Sequence, residues 1–595
     1  MALANYSHRR WLFGCGPRVE NFFASHTTVA EQAKRAGPHS LPSRSFSQVP
    51  LLFAHKLQRP ALNGPALRQY DIRQKCSSRN PIRTTWHFAA CPFDKTDMNP
   101  STASHDVELA SPSAYTREWD QLWFVGSWAL SETLCFYQKS PSTSTEPSSN
   151  MLSQAAMQAE KAMGHDDNNT TAQDVANPAN KEEWADHSET MKALAWFGKN
   201  DVRVIDAPKP AVIEPRDVIV KITGSTVCGS DLHLLHGSVV EMQKGDILGH
   251  EFCGVVDNVG SAITRFKKGQ RVVASFQIAC GECYYCKQKL SSQCEKTNSN
   301  TIEKGMYGGR TAGMFGYSHF TGGFAGGQAE YTRVPYGDVN LLALPDDVPD
   351  EQGLFLSDVL CTSWHAVVDT GVKKGDVVAI WGAGPIGQMA ADFSLLNGAK
   401  EVIMIDQNWR LDFVKQKYPH VRTLDFSTLA KGETVTSKLK EMTNNRGPDI
   451  SIECAAGEYA KGWAHYFEIM LGLETDTSEL VNEMIASTRN FGSCGITGVY
   501  VGYTNHFNIG SLMERGIRLI GNGQAPVHLY WESLLQMIQE KRIDPSKMVT
   551  HRVRLEDLDK VYKKFENKED GMQKVFVETK WSFPAWKGSP ELTRY

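Results

Sequence analysis

Four cysteines lie close together near the middle of the chain, at a spacing that suits a metal ion. They follow the pattern C-x2-C-x2-C-x7-C and are Cys280, Cys283, Cys286 and Cys294. Four thiolates complete the tetrahedral coordination of zinc, so such a site anchors part of the fold and leaves no position for a substrate. Four unrelated thiols, or disulfides, are the alternative. Three cysteines at two-residue intervals favour the zinc site.

A second metal site, with an open position, is indicated upstream of this quartet. A catalytic zinc needs three protein ligands, and Cys228 can supply a thiolate and His250 an imidazole. Asp231 is expected to orient the His250 imidazole as a hydrogen-bond acceptor. Glu251 is expected to hydrogen-bond nearby or to touch the metal transiently. Taken singly, Cys228 and His250 could be ordinary core residues, but their neighbours favour the metal site.

A glycine-rich turn between a strand and a helix predicts a dinucleotide site. The apolar run Val377–Trp381 leads into G-x-G-x-x-G, and Asp406 follows 19 residues after the last glycine. The glycines let backbone N–H groups approach a pyrophosphate at the helix N-terminus. The residues of this turn are Gly382, Gly384, Pro385, Ile386 and Gly387.

Asp406 bears on which dinucleotide is bound. Its carboxylate can accept hydrogen bonds from the adenosine ribose and would repel a 2′-phosphate, which favours NAD over NADP. Arg410 is close enough in sequence to soften that preference. The alternative for Asp406 is a solvated residue at the end of a strand.

Length, charge and cysteine count limit the function classes. At 595 residues the chain is too long for one core, so two or three domains are expected. A net charge of -4 gives no reason to expect nucleic acid or an anionic membrane as a partner. No run approaches the roughly 18 apolar residues that span a bilayer. The 13 cysteines, without a secretory signal, indicate a reducing compartment and metal binding rather than disulfides.

Residues 1–190 differ in character from the rest of the chain. They lack sustained periodicity and contain polar tracts, which predicts a disordered extension. Residues 1–93 carry 13 Arg and Lys against three acidic residues, a composition typical of a transit peptide. Because Met191 opens a natural first strand, an optional extension or an over-long gene prediction is the alternative. We expect a cytoplasmic protein, with the mitochondrial matrix as the alternative if the extension is real.

The rest of the chain predicts an α/β protein with two domains. Short β-type runs indicate a barrel-like β domain over 191–365, with a metal-binding lobe at 279–295. Alternating strands and helices over 366–522 indicate a doubly wound parallel sheet of six strands. Residues 523–580 are expected to return to the first domain, and 581–595 to form a tail. The clearest strands of the parallel sheet are Val377–Trp381, Val402–Ile405, Ile450–Cys454, Gly495–Val499 and Ile517–Gly521.

Two motifs resemble those of the zinc-dependent alcohol dehydrogenases, in the medium-chain dehydrogenase/reductase superfamily. Gly249-His250-Glu251-x2-Gly254-x5-Gly260-x2-Ile263 is similar to that family's zinc signature, and the cysteine quartet to its structural lobe. The resemblance covers residues 191–580. It implies a GroES-like β-barrel catalytic domain, a Rossmann domain, two zinc ions per chain, and a homodimer or homotetramer. For the Gly-rich segment 316–331 it implies an enlarged surface loop near the active-site cleft, with a linker or turns between strands as alternatives.

The resemblance also implies a proton relay beside the open zinc. Zinc lowers the pKa of a bound hydroxyl by several units. Ser230 matches the family's relay hydroxyl, and His233 matches the histidine that passes the proton outward through the cofactor ribose. A surface histidine is the alternative for His233.

The third catalytic ligand departs from the family's usual cysteine. Asp358 occupies that position and Cys361 lies three residues later. An aspartate there resembles the glutathione-independent formaldehyde dehydrogenase branch, and one thiolate with one carboxylate neutralises Zn²⁺ as two thiolates would. Because a carboxylate donates less electron density, the zinc should be more electrophilic. The alternatives are Cys361 as the ligand, or Asp358 as a helix cap.

These observations predict a zinc enzyme that transfers hydride between NAD and a small primary alcohol or aldehyde, with formaldehyde among the candidates. A polyol or secondary-alcohol dehydrogenase could use the same residues. A catalytically silent zinc- and NAD-binding protein is a third alternative. All the expected ligands and relay residues are present in the sequence, which argues against the silent protein.

Overall fold

The computed structural model describes residues 184–455, 477–500 and 504–595. The predicted disordered extension and transit peptide therefore lie outside the described residues, apart from residues 184–190. The first strand begins at Ala185, ahead of Met191.

Strands and helices alternate irregularly at first and regularly after residue 377. The strands are β1 Ala185–Gly198, β2 Asp201–Pro210, β3 Val218–Ser225, β4 Phe252–Val259, β5 Arg271–Ala274, β6 Gln277–Ile278, β7 Gly313–Met314, β8 Tyr331–Val334, β9 Leu341–Ala343, β10 Val377–Trp381, β11 Glu401–Asp406, β12 Arg422–Asp425, β13 Ile450–Glu453, β14 Ser493–Ile496, β15 Arg518–Gly521, β16 Val549–Arg554 and β17 Lys574–Glu578. The α-helices are α1 Gly229–Leu235, α2 Tyr284–Lys287, α3 Thr301–Tyr307, α4 Gly337–Asn340, α5 Asp350–Gly353, α6 Val359–Thr370, α7 Pro385–Leu396, α8 Trp409–Lys417, α9 Val435–Met442, α10 Glu479–Ser487, α11 Ile509–Glu514, α12 Val527–Gln539 and α13 Leu558–Glu566.

The first domain is built on a seven-stranded sheet. Its strand order is β16-β17-β3-β4-β5-β9, with β8 also paired to β3. Residues of β3 alternate between two cores: Val218, Val220 and Ile222 enter one, and Ile219 enters the other. Strands β16 and β17 lie in the segment 523–580, for which we predicted a return to this domain.

The second domain is built on six parallel strands in the order β12-β11-β10-β13-β14-β15. The prediction of a six-stranded parallel sheet is confirmed. Strand β12, Arg422–Asp425, is the one that the sequence pattern did not single out. It is partly exposed along its length, so it lacks the buried apolar run that marks the other strands.

Helices cover both faces of the parallel sheet. Val378 and Ile380 of β10 pack with α6, α7 and α12, whereas Ala379 and Trp381 pack with α9 and α10. Alternate residues of one strand point to opposite faces, so both faces must be apolar. The sheet is therefore doubly wound, as predicted.

The Gly-rich segment 316–331 lies beside the cleft, but it is largely buried, so the expectation of a surface loop is wrong. A Cβ atom at Gly326 would lie 2.2 Å from the Leu248 carbonyl oxygen, closer than any side chain allows. The glycines let this segment pack directly on the backbone that precedes β4.

No helix in the described ranges is long and apolar enough to cross a bilayer. Every cysteine that the structure describes is free of disulfides.

Candidate functional site

Three chain segments bring the candidate catalytic metal ligands together. Cys228 immediately precedes α1, His250 and Glu251 immediately precede β4, and Asp358 immediately precedes α6. The antiparallel pairing of β3 with β4 places Ser225 opposite Phe252, which brings the segments that carry Cys228 and His250 to the same edge. One ligand atom from each of Cys228, His250, Glu251 and Asp358 lies within 4.8 Å of all the others.

The spacing of these atoms suits a zinc ion. His250 Nε2 is 3.5 Å from Asp358 Oδ2 and 3.8 Å from Glu251 Oε1. Two ligands of a tetrahedral zinc, one nitrogen and one oxygen, lie about 3.4 Å apart at ordinary bond lengths. The second oxygen of Glu251, Oε2, is buried and has no hydrogen-bond partner among the described residues. One thiolate, one imidazole and one carboxylate are therefore in place to hold zinc, with Glu251 beside them.

The structure brings Asp358, and not Cys361, to this cluster. The Cys361 thiol is buried, donates to the Leu356 carbonyl oxygen at 3.3 Å, and is not part of the group of candidate ligand atoms. Asp358 stands at the N-cap position of α6 but makes no side-chain capping hydrogen bond. Instead its carboxylate accepts a hydrogen bond from Thr362 and faces His250. The structure therefore favours neither alternative: Cys361 is not in the cluster, and Asp358 does not cap the helix.

Asp231 fixes the other side of the His250 ring. Asp231 Oδ1 is 3.3 Å from His250 Nδ1, an ionic contact without hydrogen-bond geometry, and Nε2 faces the cluster. Asp231 Oδ2 accepts hydrogen bonds from the Cys228 N–H at 2.9 Å and from Gln328 at 3.2 Å. Gln328 in turn accepts one from Tyr562 at 2.8 Å. Burial alone would lower the pKa of His250, but the charge of Asp231 outweighs it and the pKa lies well above its usual value.

Glu251 is held by a buried lysine at the start of β17. Lys574 Nζ lies 2.6 Å from Glu251 Oε1, and both side chains are 1 % exposed. Burial alone would lower the pKa of Lys574, but the attraction of Glu251 outweighs it and raises the pKa above its usual value. Burial also raises the pKa of Glu251, and the attraction of Lys574 only partly offsets that rise.

The cysteine quartet forms a separate lobe. Its four sulfur atoms lie within 4.8 Å of one another, and Cys280 Sγ is 3.9 Å from Cys286 Sγ. Two sulfur ligands of a tetrahedral zinc lie about 3.8 Å apart, whereas a disulfide requires about 2.05 Å. Backbone N–H groups of Glu282 and Cys283 donate to Cys280 Sγ, which favours the thiolate. The quartet is thus arranged for zinc and not for disulfides.

A cleft of about 300 Å³ joins the catalytic cluster to the glycine-rich turn. Ser230 and His233, on the first turns of α1, line it beside Cys228. Its wall near the cluster is largely apolar and includes Phe276, Met314, Tyr317 and Val359. The cleft thus holds a hydroxyl, an imidazole and a metal-binding cluster next to a small apolar space.

The glycine-rich turn has the form that a pyrophosphate needs. A Cβ at Gly387 would lie 1.9 Å from the Gly382 carbonyl oxygen, so only glycine fits there. At Gly384 a Cβ would meet no atom within 4 Å, because this residue borders the cleft. Pro385 opens α7, and Pro385 and Ile386 also line the cleft. This space at a helix N-terminus is suited to phosphate oxygens.

Asp406 ends β11 and supports the same turn. Its Oδ2 accepts a hydrogen bond from the Ala383 N–H at 2.7 Å and lies 3.7 Å from Arg410 Nη1. Asp406 is 4 % exposed, so it is not a solvated strand end. Arg410 lines the cleft. An acidic residue and a basic residue therefore lie together beside the glycine-rich turn.

Sequence reasoning missed two residues at this site. Lys574 lies 323 residues from Glu251, and a lysine at the start of a strand gives no signal of burial. Tyr317 lines the cleft from within the Gly-rich segment, whose aromatic content could have drawn attention to it.

Comparisons with known proteins agree with this arrangement. Residues 214–346 match the family described as alcohol dehydrogenase GroES-like domain. A zinc-type alcohol dehydrogenase-like protein of Schizosaccharomyces pombe is 39% identical over 393 residues, covering 65% of this chain and 91% of the relative. A glutathione-independent formaldehyde dehydrogenase of Pseudomonas aeruginosa is 30% identical over 413 residues, covering 65% and 96%.

Comparison with a solved structure supports the same family. The alcohol dehydrogenase TADH from Thermus sp. ATN1 aligns with a TM-score of 0.54 at 30% sequence identity, covering 65% of this chain and 100% of that one. The predicted GroES-like and Rossmann architecture is thereby confirmed. The chain belongs to the zinc-type alcohol dehydrogenase-like family of the medium-chain dehydrogenase/reductase superfamily, and it is an oxidoreductase that uses zinc and a nicotinamide dinucleotide.

Proposed function

We propose that this enzyme transfers hydride between NAD and a small primary alcohol or aldehyde, with formaldehyde as the favoured substrate. The observation that carries the proposal is Asp358, which meets Cys228 and His250 at the end of a small apolar cleft. The similarity to a formaldehyde dehydrogenase supports it. A cleft walled by Phe276 and Met314 suits a substrate of few atoms.

Each residue of the cluster has a distinct task in this proposal. Cys228, His250 and Asp358 would hold the catalytic zinc, and Asp231 keeps His250 Nε2 turned toward it. When bound, zinc makes a substrate hydroxyl more acidic and NAD accepts the hydride. Ser230 accepts the hydroxyl proton, and His233 passes it toward solvent. Cys280, Cys283, Cys286 and Cys294 would hold a second, structural zinc, giving two zinc ions per chain.

The experiment is to purify the full chain, count its zinc, and follow NADH absorbance with a panel of substrates. We expect two zinc ions per chain and the highest kcat/KM with formaldehyde, ahead of methanol, ethanol and benzyl alcohol. Faster turnover of sorbitol or 2-butanol would support the polyol or secondary-alcohol alternative. NADH formation with none of them would indicate the silent binding protein. Light scattering on the same sample tests the proposed homodimer or homotetramer.

Asp406 provides a test of the cofactor. In Asp406→Asn the side chain can still accept the Ala383 N–H, but its charge is gone. Because charges a few ångströms apart near a surface repel by more than about 1.4 kcal/mol, we expect the ratio of kcat/KM for NADP to that for NAD to rise at least about 10-fold. Arg410 would then be free to meet the 2′-phosphate. Steady-state kinetics with both cofactors measures this ratio.

The matched control is Asp412→Asn. Asp412 lies on the same helix as Arg410, and its side chain is 75% exposed and paired with Lys415. The cofactor ratio should be unchanged in this variant. An unchanged ratio in Asp406→Asn would contradict the role given to Asp406.

A further inference from the structure

Tyr317 is a polar residue in the apolar wall of the cleft. It follows Gly316, which packs against the Gly249 backbone: a Cβ at Gly316 would lie 2.4 Å from the Gly249 nitrogen. This close approach brings Tyr317 next to His250, whose ring it meets edge to face at a centroid distance of 5.3 Å. The side chain is partly buried and lines the cleft. Its position is therefore set by backbone packing.

The Tyr317 side chain lines the same cleft as Ser230, Cys228 and His250, and its ring contacts the His250 ring. A tyrosine phenol is protonated at neutral pH and is therefore a hydrogen-bond donor. Ser230 and Tyr317 thus present two hydroxyl groups to the same small space.

A simple alcohol has one hydroxyl group, so it cannot engage both the Ser230 and the Tyr317 hydroxyl while it is bound at the cluster. The single hydroxyl of an alcohol engages the metal-binding cluster and Ser230, which leaves Tyr317 without a substrate partner. In water, formaldehyde is present almost entirely as its hydrate, which carries two hydroxyl groups on one carbon. The hydrate has a polar group for each of the two side chains.

We propose that Tyr317 binds the second hydroxyl of an aldehyde hydrate and thereby makes the site selective for aldehyde oxidation. This inference rests on the proposed function. One C–H bond of the hydrate breaks and its hydrogen leaves with the electron pair to NAD, which is reduced to NADH. The hydroxyl proton passes to Ser230, which gives up its own proton toward His233, as the carbon–oxygen double bond forms. Tyr317 holds the remaining hydroxyl, and the product is formic acid.

The test compares the wild-type protein with Tyr317→Phe, both as full chains with equal zinc content. Phenylalanine keeps the ring and removes the hydroxyl. A site built to hydrogen-bond a substrate hydroxyl loses at least about 10-fold when that bond is removed. We expect kcat/KM for formaldehyde oxidation to fall by at least about 10-fold, and kcat/KM for ethanol oxidation to change less than about 3-fold.

Ligand binding gives a second readout that does not depend on turnover. Formate has two oxygen atoms on one carbon, like the hydrate, whereas trifluoroethanol has one hydroxyl. In calorimetric titrations we expect Tyr317→Phe to weaken formate binding about 10-fold and to leave trifluoroethanol binding unchanged. Tyr418→Phe is the matched control, because it removes a buried hydroxyl that has no hydrogen-bond partner among the described residues and does not line the cleft.

The possible outcomes separate the two proposals. Equal losses with formaldehyde and ethanol would mean that Tyr317 acts only through Ser230, and this would overturn the inference. If Tyr317→Phe left both the kinetics and formate binding unchanged, the Tyr317 hydroxyl would have no role in substrate binding. That result would also overturn the inference. A wild-type protein that oxidises no substrate would refute the proposed function, and formate binding would then still decide the role of Tyr317.

Discussion

Replacing Asp358 by alanine is expected to lower the zinc content from two ions per chain to one and to reduce kcat/KM at least about 1000-fold. The carboxylate is 3.5 Å from His250 Nε2 and supplies a negative charge to the cluster. Without it a zinc ion would have two protein ligands where three are needed. The ion's stabilisation of developing charge is worth several kcal/mol, and each 1.36 kcal/mol is tenfold in rate. Metal analysis and steady-state kinetics measure both effects.

Two further variants make this result specific. Asp358→Cys restores a thiolate at the same position, so it should regain the second zinc. Cys361→Ala should keep both ions, because the Cys361 thiol donates to the Leu356 carbonyl oxygen and is not part of the group of candidate ligand atoms. Two zinc ions retained in Asp358→Ala, or one lost in Cys361→Ala, would refute the proposed ligand set.

Replacing Lys574 by methionine is expected to lower the free energy of unfolding by about 3–5 kcal/mol. Lys574 and Glu251 are each 1 % exposed and lie 2.6 Å apart. Removing one partner of such a pair leaves a buried charge without compensation, which is the costly change. Burial already raises the pKa of Glu251, and without Lys574 its carboxyl should take up a proton. Denaturant unfolding at neutral pH measures the loss.

The double variant Glu251→Gln with Lys574→Met tests the cause of this destabilisation. It removes both charges together, so it should recover most of the stability lost in the single variant. Lys580→Met is the matched control: Lys580 also pairs with a glutamate, Glu330, at 2.8 Å, but its own side chain is 47% exposed. Such a partly solvated pair contributes about 1 kcal/mol or less. Equal effects of Lys574→Met and Lys580→Met would refute the argument.

Much of the site was predictable because its information is local in sequence. The quartet Cys280, Cys283, Cys286 and Cys294 lies within fifteen residues, and its spacing alone implies a shared metal. The turn from Gly382 to Gly387 is bracketed by a strand and a helix that can be recognised from their apolar patterns. For the same reason the parallel sheet was predicted almost completely, except for the half-exposed strand β12.

The parts that escaped prediction depend on long-range packing. Lys574 reaches Glu251 because β17 joins β3 in one sheet, and no local pattern reports that pairing. Segment 316–331 resembled a surface loop because glycines are common in loops, whereas here they permit close packing against the backbone that precedes β4. Tyr317 owes its place beside His250 to the same packing. Such long-range contacts cannot be predicted from residue type and spacing.

The seven-stranded sheet has a consequence for how the protein folds during synthesis. Strands β16 and β17 leave the ribosome after the whole dinucleotide-binding domain, yet they complete a sheet whose central strand, β3, was made some 350 residues earlier. Domains fold as units as they emerge, so the parallel sheet can form while the first sheet still has an open edge. Lys574 arrives with β17. The ion pair that Lys574 forms with Glu251 therefore cannot form until the last part of the chain has been made, and a nascent protein truncated before β16 would have a complete dinucleotide domain and an incomplete catalytic one.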